Sequence, residues 1–420
     1  MNFAFDIRFY LGDAPARAYL KCTSGHTSKA GCERCDQCGD FDDQVIYSTS
    51  VGSERTDESF NSQRDPDHHK GVSPLMELQT NFITQFVLDP MHLVEIGIFK
   101  RFLSFVLRRG PVNTRLSGAE IEDFSVLLDL FAKFVPDDFT RKHLVLDNRP
   151  KWKATEYRLL LLYLGIVIFK LILKEEVYQL FLLLHSAVFI MSNETFIELY
   201  LEEAQSFIEH FVKYSATVFG AKFVSYNVHS SLHLASDVKM LKKPLIKFSA
   251  YPFEDLGGQL KKLVRSSSKP LQQICRRLAE REKVGDKIDR DVKGRGPMNE
   301  HTRGPTGNLS VTCQFKKYEG ESFTVSIEIP NNCVCLSDGS FGLIRNIVTV
   351  DFSVKLVVSV FECTRDLYDY TIASSKLGIC ILWNVSESLT VYDLSDILFK
   401  CVLLPFGESE FVGIPILHLL

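Results

Sequence analysis

Four side chains that suit zinc lie close together near the start of the chain, in the pattern Cys22-x3-His26-x5-Cys32-x2-Cys35. Thiolates and imidazoles are the ligands of closed tetrahedral zinc sites, in which a Cys-x2-Cys pair is common. Cys38 repeats the spacing and offers a substitute for one ligand. The pattern predicts a structural zinc ion bound by the first four residues, in a loop over residues 22–38; unrelated free thiols or a redox pair are the alternatives.

Two histidines further along the chain, His229 and His233, are separated by one helical turn, and Asp237 follows after another turn. On a helix all three share one face. Such a face can bind a metal or form a hydrogen-bonded stripe inside a helical core. Because no further ligand lies nearby in the sequence, we predict a packed stripe.

Two aspartates stand where helices are expected to begin. Residues 3–11 alternate apolar and polar side chains, which predicts a strand leading to Asp13. A carboxylate at the end of a strand can bind a ligand, and Asp13 also suits the N-cap of a helix starting at Ala14; the two roles are compatible. In the same way, Asp89 is predicted to cap a helix that carries His92 in its first turn.

An acidic residue, Glu254, precedes a strongly basic run in the sequence. The basic residues are Lys261, Lys262, Arg265, Lys269, Arg276 and Arg277. An acid that binds a divalent cation beside cations that bind phosphates would suit a nucleic-acid site. The alternative is a solvated basic helix capped by its acid.

The composition excludes a disordered, collagen-like or disulfide-stapled chain. The 420 residues are 45% hydrophobic and 24% charged, with a net charge of -4. Residues 239–303 carry seventeen Lys/Arg against eight Asp/Glu, a local charge of +9, which leaves -13 elsewhere. The near-neutral total therefore hides a basic segment suited to nucleic acid. Eleven cysteines, four of them crowded between residues 22 and 38, favour a reducing compartment with a metal site.

No secretory or membrane segment is predicted. The opening residues lack the pattern of a signal peptide, and the apolar stretch of residues 159–190 is interrupted by Lys170, Lys174, Glu175 and Glu176. We therefore expect buried helices in an intracellular protein without a membrane partner.

Three kinds of sequence pattern follow one another along the chain. Residues 36–67 contain nine Asp/Glu against two Arg and are predicted to form an acidic, mobile loop. Helical periodicity begins at Leu88 and includes an amphipathic helix over residues 196–212, capped by Ser192 or Asn193. After Gly304-Pro305, β-branched runs over residues 323–329, 347–350 and 354–360 predict a small β domain.

In this order the motifs resemble the CACTA (En/Spm) type of DNA transposases and the transposase-domain proteins derived from them. The resemblance covers roughly residues 5 to 280, a colinear series that is far more specific than any one motif. It rests on DAPARAYLKC from Asp13, GHT with GCERC ending at Cys35, Asp89-x2-His92-Leu93, WKATE from Trp152, YNVH ending at His229 with His233, FSAYPFE ending at Glu254, and LKKLVR ending at Arg265.

The resemblance implies an α/β RNase H-like core with a large α-helical insertion, and the residues themselves add the zinc-binding loop and the small β-rich C-terminal domain. Residues 1–110 would form part of the core with the zinc loop, residues 111–222 the insertion, residues 223–303 the end of the core and the basic segment, and residues 304–420 the β-rich domain. In this family three carboxylates hold two Mg²⁺ or Mn²⁺ ions that cleave and join DNA. Asp13 would be the second carboxylate and Glu254 the third, with Asp89 and His92 supporting the site.

The sequence departs from the family pattern at its N-terminal end. The family's first catalytic Asp lies upstream of the Asp13 motif, and this chain begins only twelve residues before Asp13. We therefore expect an N-terminally incomplete core and a nuclear, DNA-binding, transposase-derived protein that is catalytically incomplete and free to form a homo-oligomer. The alternative is a non-catalytic, zinc-containing nucleic-acid-binding or chromatin interaction protein.

Overall fold

The computed structural model describes residues 7–284, 295–321 and 323–417, and it divides into two compact units. The first unit comprises Met1–Lys133, Arg141–Ala250 and Tyr368–Leu377. The second comprises Phe134–Thr140, Tyr251–Leu367 and Gly378–Leu420. Each unit is thus assembled from segments that are distant in sequence.

The first unit is mainly helical, as predicted for the middle of the chain. Wide π-type turns over Met91–Phe99 and Phe105–Arg109 extend the third helix in both directions. The helices are α1 Ala14–Lys21, α2 Asp57–Asn61, α3 Lys100–Ser104, α4 Gly118–Ala132, α5 Ala154–Leu159, α6 Gly165–Ile172, α7 Glu175–Met191, α8 Glu194–Phe219, α9 Tyr226–Ser230 and α10 Leu234–Leu241.

Helix α7 lies at the centre of this core, and every residue from Leu180 to Met191 is buried. Its sequence predicts this burial because apolar side chains occur on all its faces. A short turn leads to α8, where the Asn193 side chain accepts a hydrogen bond from the Phe196 amide, as predicted for the cap. Among the described residues no helix is both long enough and apolar enough to cross a membrane.

The acidic stretch of residues 36–67, predicted as a loop, has regular structure. Strands β1 Asp40–Asp42 and β2 Gln44–Ile46 form an antiparallel hairpin, and α2 follows. Lys222 forms ion pairs with the two aspartates at the hairpin turn, Asp42 and Asp43. Two aromatic residues of the stretch, Tyr47 and Phe60, are buried and hold it against the rest of the first unit.

The strand predicted over residues 3–11 lies partly outside the described residues, which start at residue 7. Within residues 7–11, Tyr10 forms a single parallel bridge with Phe86, and their rings stack at 4.6 Å. The chain then enters α1. The described part of the predicted strand is therefore one extended segment with one paired residue.

The second unit contains an antiparallel β-sheet, as predicted for the C-terminal region. Its strands are β3 Gly296–His301, β4 Cys313–Glu319, β5 Thr324–Ser326, β6 Cys333–Leu336, β7 Phe341–Val350, β8 Ser353–Asp366, β9 Cys380–Asp393, β10 Ile397–Phe406 and β11 Glu410–Pro415. Strands β6 to β11 close a six-stranded barrel, because β7 pairs with both β6 and β8 at the two ends of the series β6-β10-β11-β9-β8. Closure leaves none of these six strands as a free edge.

Two helices also belong to the second unit, α11 Tyr251–Lys262 and α12 Pro270–Val284. Most of their side chains are exposed. The short segment 134–140 joins the same unit through a buried ion pair between Asp138 and Lys400. The Lys400 ammonium also donates to the Thr324 carbonyl and to Asn331, so its charge is fully solvated by protein oxygens.

A buried histidine in α7 makes the stability of the first unit depend on pH. His185 donates through Nδ1 to the Leu161 carbonyl, and burial lowers its pKa from 6.5 to about 4. In the unfolded chain this histidine takes up a proton as the pH falls through about 6.5, whereas the folded protein stays neutral there until about pH 4. Acidification across this window therefore favours unfolding.

We predict that protonation of His185 in the unfolded chain lowers the free energy of unfolding by about 3 kcal/mol as the pH falls from 7 to 4. In urea titrations across this range, the His185→Gln variant should start less stable but lose less stability than the wild-type chain. The exposed His143→Gln variant is the control and should follow the wild-type slope. Parallel slopes for wild type and His185→Gln would contradict the prediction.

Candidate metal centre

Four buried metal-ligating side chains converge in the first unit: Cys32, Cys35, His229 and His233. Their ligand atoms all lie within 4.8 Å of one another. The two sulfur atoms are 3.5 Å apart, Cys35 Sγ is 3.3 Å from His229 Nε2, and Cys32 Sγ is 3.7 Å from His233 Nε2. Among the described residues, this is the only such group of three or more.

These distances fit a tetrahedral zinc site. Zinc bonds of about 2.3 Å to sulfur and 2.0 Å to nitrogen place neighbouring ligand atoms about 3.3 to 3.8 Å apart. His229 Nδ1 donates to the Ser48 carbonyl at 3.1 Å, which leaves Nε2 to face the sulfurs. Two thiolates would balance the charge of a Zn²⁺ ion, and together with two imidazoles they would enclose it. All four positions are filled by protein, so the ion would be structural.

The two thiols differ in their electrostatics. Burial raises the pKa of Cys32 well above its ordinary value. The hydrogen bond from Cys32, together with the contacts of His229 and His233, lowers the pKa of Cys35 far below its ordinary value. These contacts favour the thiolate form of Cys35.

The two residues between the cysteines hold the pair in place. Glu33 is buried and accepts hydrogen bonds from Arg17 at 2.6 Å and from Tyr226 at 2.9 Å. Lys21 lies 3.4 Å from the same carboxylate. Burial would raise the pKa of Glu33, but the charges of Arg17 and Lys21 hold it well below its ordinary value. Helix α1 is thereby fixed against the cysteine turn.

Arg34 binds on the other side of the turn. Its guanidinium forms an ion pair with Asp237 at 2.8 Å and donates to the carbonyls of Ile83 and Phe86. Asp237 also accepts from the Leu88 amide. Because Asp237 lies in α10, one turn after the second histidine ligand, this ion pair connects the two halves of the centre directly.

The histidines are positioned by short helices. His229 lies in α9, and His233 ends the 3-10 turn Ser231–His233 that leads into α10. Tyr47 stacks on the His229 ring at 5.1 Å, and its hydroxyl donates to the Ser28 carbonyl. The centre is thus covered by an aromatic ring from the segment predicted as an acidic loop.

The predicted ligand set is corrected by this arrangement. Cys32 and Cys35 are in the cluster, but Cys22 and His26 are not. Cys22 ends α1 in a left-handed conformation with its thiol toward the Tyr19 carbonyl, and His26 is exposed. The reason is that folding brings His229 and His233, predicted as a packed stripe, to the cysteines across about two hundred residues.

The other predicted site residues lie apart from this centre. The Asp13 side chain caps α1 by accepting from the Ala16 amide at 2.8 Å. Asp89 is buried and accepts from the Met91, His92 and Ala250 amides, while His92 Nδ1 donates to it. Both aspartates therefore act as caps, as predicted.

Glu254 and the basic residues belong to the second unit. Glu254 lies exposed in the first turn of α11. Of the six basic residues singled out from the sequence, all are exposed except Arg277, which is partly buried. Arg276 and Arg277 form ion pairs with Glu280 on α12.

Sequence reasoning missed Glu33, Arg34 and Tyr47. A signal was present, since a Glu-Arg pair between two cysteines places opposite charges inside a buried turn, where each needs a partner. The identity of those partners depends on tertiary structure.

Comparisons with known proteins give one match. The family described as "Domain of unknown function (DUF8592)" matches residues 300–416, most of the β-rich region. No curated protein and no solved structure matches the chain.

We predict that the purified chain binds about one zinc ion and that Cys35→Ser or His229→Gln abolishes this binding. Metal content measured by mass spectrometry after removal of loose metal tests this. The matched double variant Cys22→Ser/His26→Gln removes a nearby cysteine and histidine outside the cluster and should keep its zinc. Loss of zinc from that variant would restore the ligand set predicted from the sequence.

Proposed function

We propose that this chain is a zinc-stabilised, DNA-binding protein derived from a CACTA-type transposase, and that it binds DNA without cleaving it. The observation that carries the proposal is the meeting of two motifs of the resemblance, the cysteine pair and the histidine pair, in one buried tetrad. Independent sequence motifs that converge in space are more informative than the same motifs taken separately.

The exposed basic helices supply the contact with DNA in this proposal. Lys261 and Lys262 end α11, and Arg265 and Lys269 follow in the turn toward α12. None of these four cations forms an ion pair within the described residues. Unpaired, exposed cations gain most from phosphate contacts because bound counterions are released from the DNA. A DNA partner also agrees with the nuclear location expected from the resemblance.

The catalytic half of the resemblance belongs to the same proposal. The RNase H-like core draws support from Tyr10, whose single parallel bridge with Phe86 precedes the helix capped by Asp13. Asp89 and His92 form a hydrogen-bonded pair beside it in the first unit. The resemblance assigns Mg²⁺ or Mn²⁺ to Asp13 and Glu254, but among the described residues neither belongs to a convergent group of three or more ligands, so such ions would be held weakly.

We predict that the chain binds duplex DNA with an affinity that falls steeply as salt increases. The Lys261→Gln/Lys262→Gln variant should weaken binding and reduce the slope of log K against log salt by about 2, because two phosphates would no longer be neutralised by a lysine. Fluorescence anisotropy from 50 to 200 mM salt measures both.

The control for this experiment is Arg108→Gln/Arg109→Gln, which removes two exposed, adjacent cations of the first unit. It should leave the slope unchanged. Binding that ignores salt, or that responds equally to both double variants, would contradict the proposed DNA surface.

We also predict that the chain does not nick or join DNA with Mg²⁺ or Mn²⁺. A supercoiled plasmid should remain intact under conditions in which anisotropy shows full binding. Asp13→Asn and Glu254→Gln should not change the DNA affinity, since neither carboxylate contacts phosphate in this scheme. Metal-dependent nicking that disappears in Glu254→Gln would show an active nuclease.

A further inference from the structure

A cleft of about 520 Å³ opens in the first unit, and its lining includes none of the four residues of the candidate metal centre. One wall is a face of α8, which contributes Ser206, His210, Lys213 and Tyr214. The opposite wall includes Tyr370 and Thr371. Its volume is within the range of pockets that bind small molecules, about 300 to 1,000 Å³.

The second wall is fixed against the helices. The Thr371 hydroxyl is hydrogen-bonded to Ser186 on α7 at 2.8 Å. The Tyr368 carbonyl accepts from the Ser374 amide at 2.9 Å, and the Tyr368 ring packs edge-on against His185. Because these contacts hold the segment 368–377 in place, the cleft is preformed and needs little ordering on binding.

The polar side chains of the cleft favour an anion. Lys213 and His210 are one helical turn apart, and neither forms an ion pair within the described residues. Hydroxyl groups from Ser206 and Tyr214 add hydrogen-bond donors, while the Thr371 hydroxyl is shared with Ser186. No carboxylate is among the lining residues. A phosphate group bound to the ammonium and the hydroxyls would gain charge-assisted hydrogen bonds.

One carboxylate limits where the anion can lie. The pKa of Tyr214 is raised by burial and, to a smaller extent, by Glu176 and Tyr370. Glu176 is therefore close enough to Tyr214 to oppose a negative charge at that end of the cleft. The anion is better placed toward His210 and Ser206.

Aromatic rings complete the lining. Phe207, Tyr214 and Tyr370 contribute three rings, and Tyr370 is 46% exposed at the edge of the cleft. Such rings bind flat, weakly polar groups by stacking, and nucleobases stack well on them regardless of sequence. The cleft thus combines a site for an anion with a site for a flat ring.

We propose that this cleft binds a nucleoside monophosphate, either as a free nucleotide or as one unit of a single strand, with the phosphate on Lys213 and His210 and the base on Tyr370. A nucleoside phosphate joins a planar ring to an anion through a sugar with hydroxyl groups, which matches all three kinds of lining. The inference does not depend on the basic helices of the second unit.

The test is isothermal titration of the full chain with 5′-AMP, adenosine, inorganic phosphate and the single strand (dA)6. AMP should bind more tightly than adenosine or phosphate. Lys213→Gln and Tyr370→Ala should each weaken AMP binding by about tenfold, whereas Tyr370→Phe keeps the ring and the affinity. Glu176→Gln removes the opposing charge and should tighten binding a few-fold.

The control is Lys239→Gln, an exposed lysine on α10 outside the cleft, which should bind AMP like the wild type. Tight AMP binding with no (dA)6 binding identifies a free nucleotide, and (dA)6 binding with the same variant pattern identifies a strand. The proposal is overturned if AMP binds no better than its two parts, or if Lys213→Gln, Tyr370→Ala and Glu176→Gln all leave its affinity unchanged. A gain in AMP affinity in Glu176→Gln cannot result from misfolding. Duplex DNA binding, measured with the same variants, distinguishes failure of this proposal from failure of the proposed function.

Discussion

The first unit depends on one constraint: two segments that are distant in sequence must bring four metal-ligating side chains together in one place. Cys35 and His229 are 194 positions apart, yet their ligand atoms are 3.3 Å apart. The entropy lost on closing such a loop grows only slowly with its length, so a metal bond that closes it stabilises the native chain efficiently. The helices between the two segments must then return the chain to the cysteines, and α7, which is buried from Leu180 to Met191, lies at the centre of these helices.

Charge pairing reinforces this constraint from both sides. Glu33 and Arg34 are adjacent in the cysteine turn, but they face opposite partners, Arg17 on α1 and Asp237 on α10. Breaking a buried pair by removing one partner typically costs about 3 to 5 kcal/mol, because the remaining charge cannot reach water. The turn is therefore held by ion pairs as well as by its thiols, and a shift of either helix would disturb the ligand geometry.

The three candidate binding regions differ in how far they are exposed to solvent. The candidate metal centre is buried, and an ion bound there would have all four positions filled by protein, which suits stability and excludes a substrate. The basic helices α11 and α12 are exposed, which suits a large polyanion, and the cleft beside α8 is partly enclosed, which suits a small one. The function that we propose uses the basic helices α11 and α12.

The sequence alone determined the helical middle, the cap at Asn193, the β-rich C-terminal region and the roles of Asp13 and Asp89 as caps, because local periodicity and hydrogen bonding decide these features. It also identified Cys32 and Cys35, since a Cys-x2-Cys turn is itself a local unit. Only the tertiary structure decided that His229 and His233, rather than Cys22 and His26, complete the centre. The physical reason is that nearness along the chain does not imply nearness in space. Cys22 ends a helix with its thiol toward the Tyr19 carbonyl, whereas the ion pair of Arg34 with Asp237 draws the helix after the histidines onto the cysteine turn.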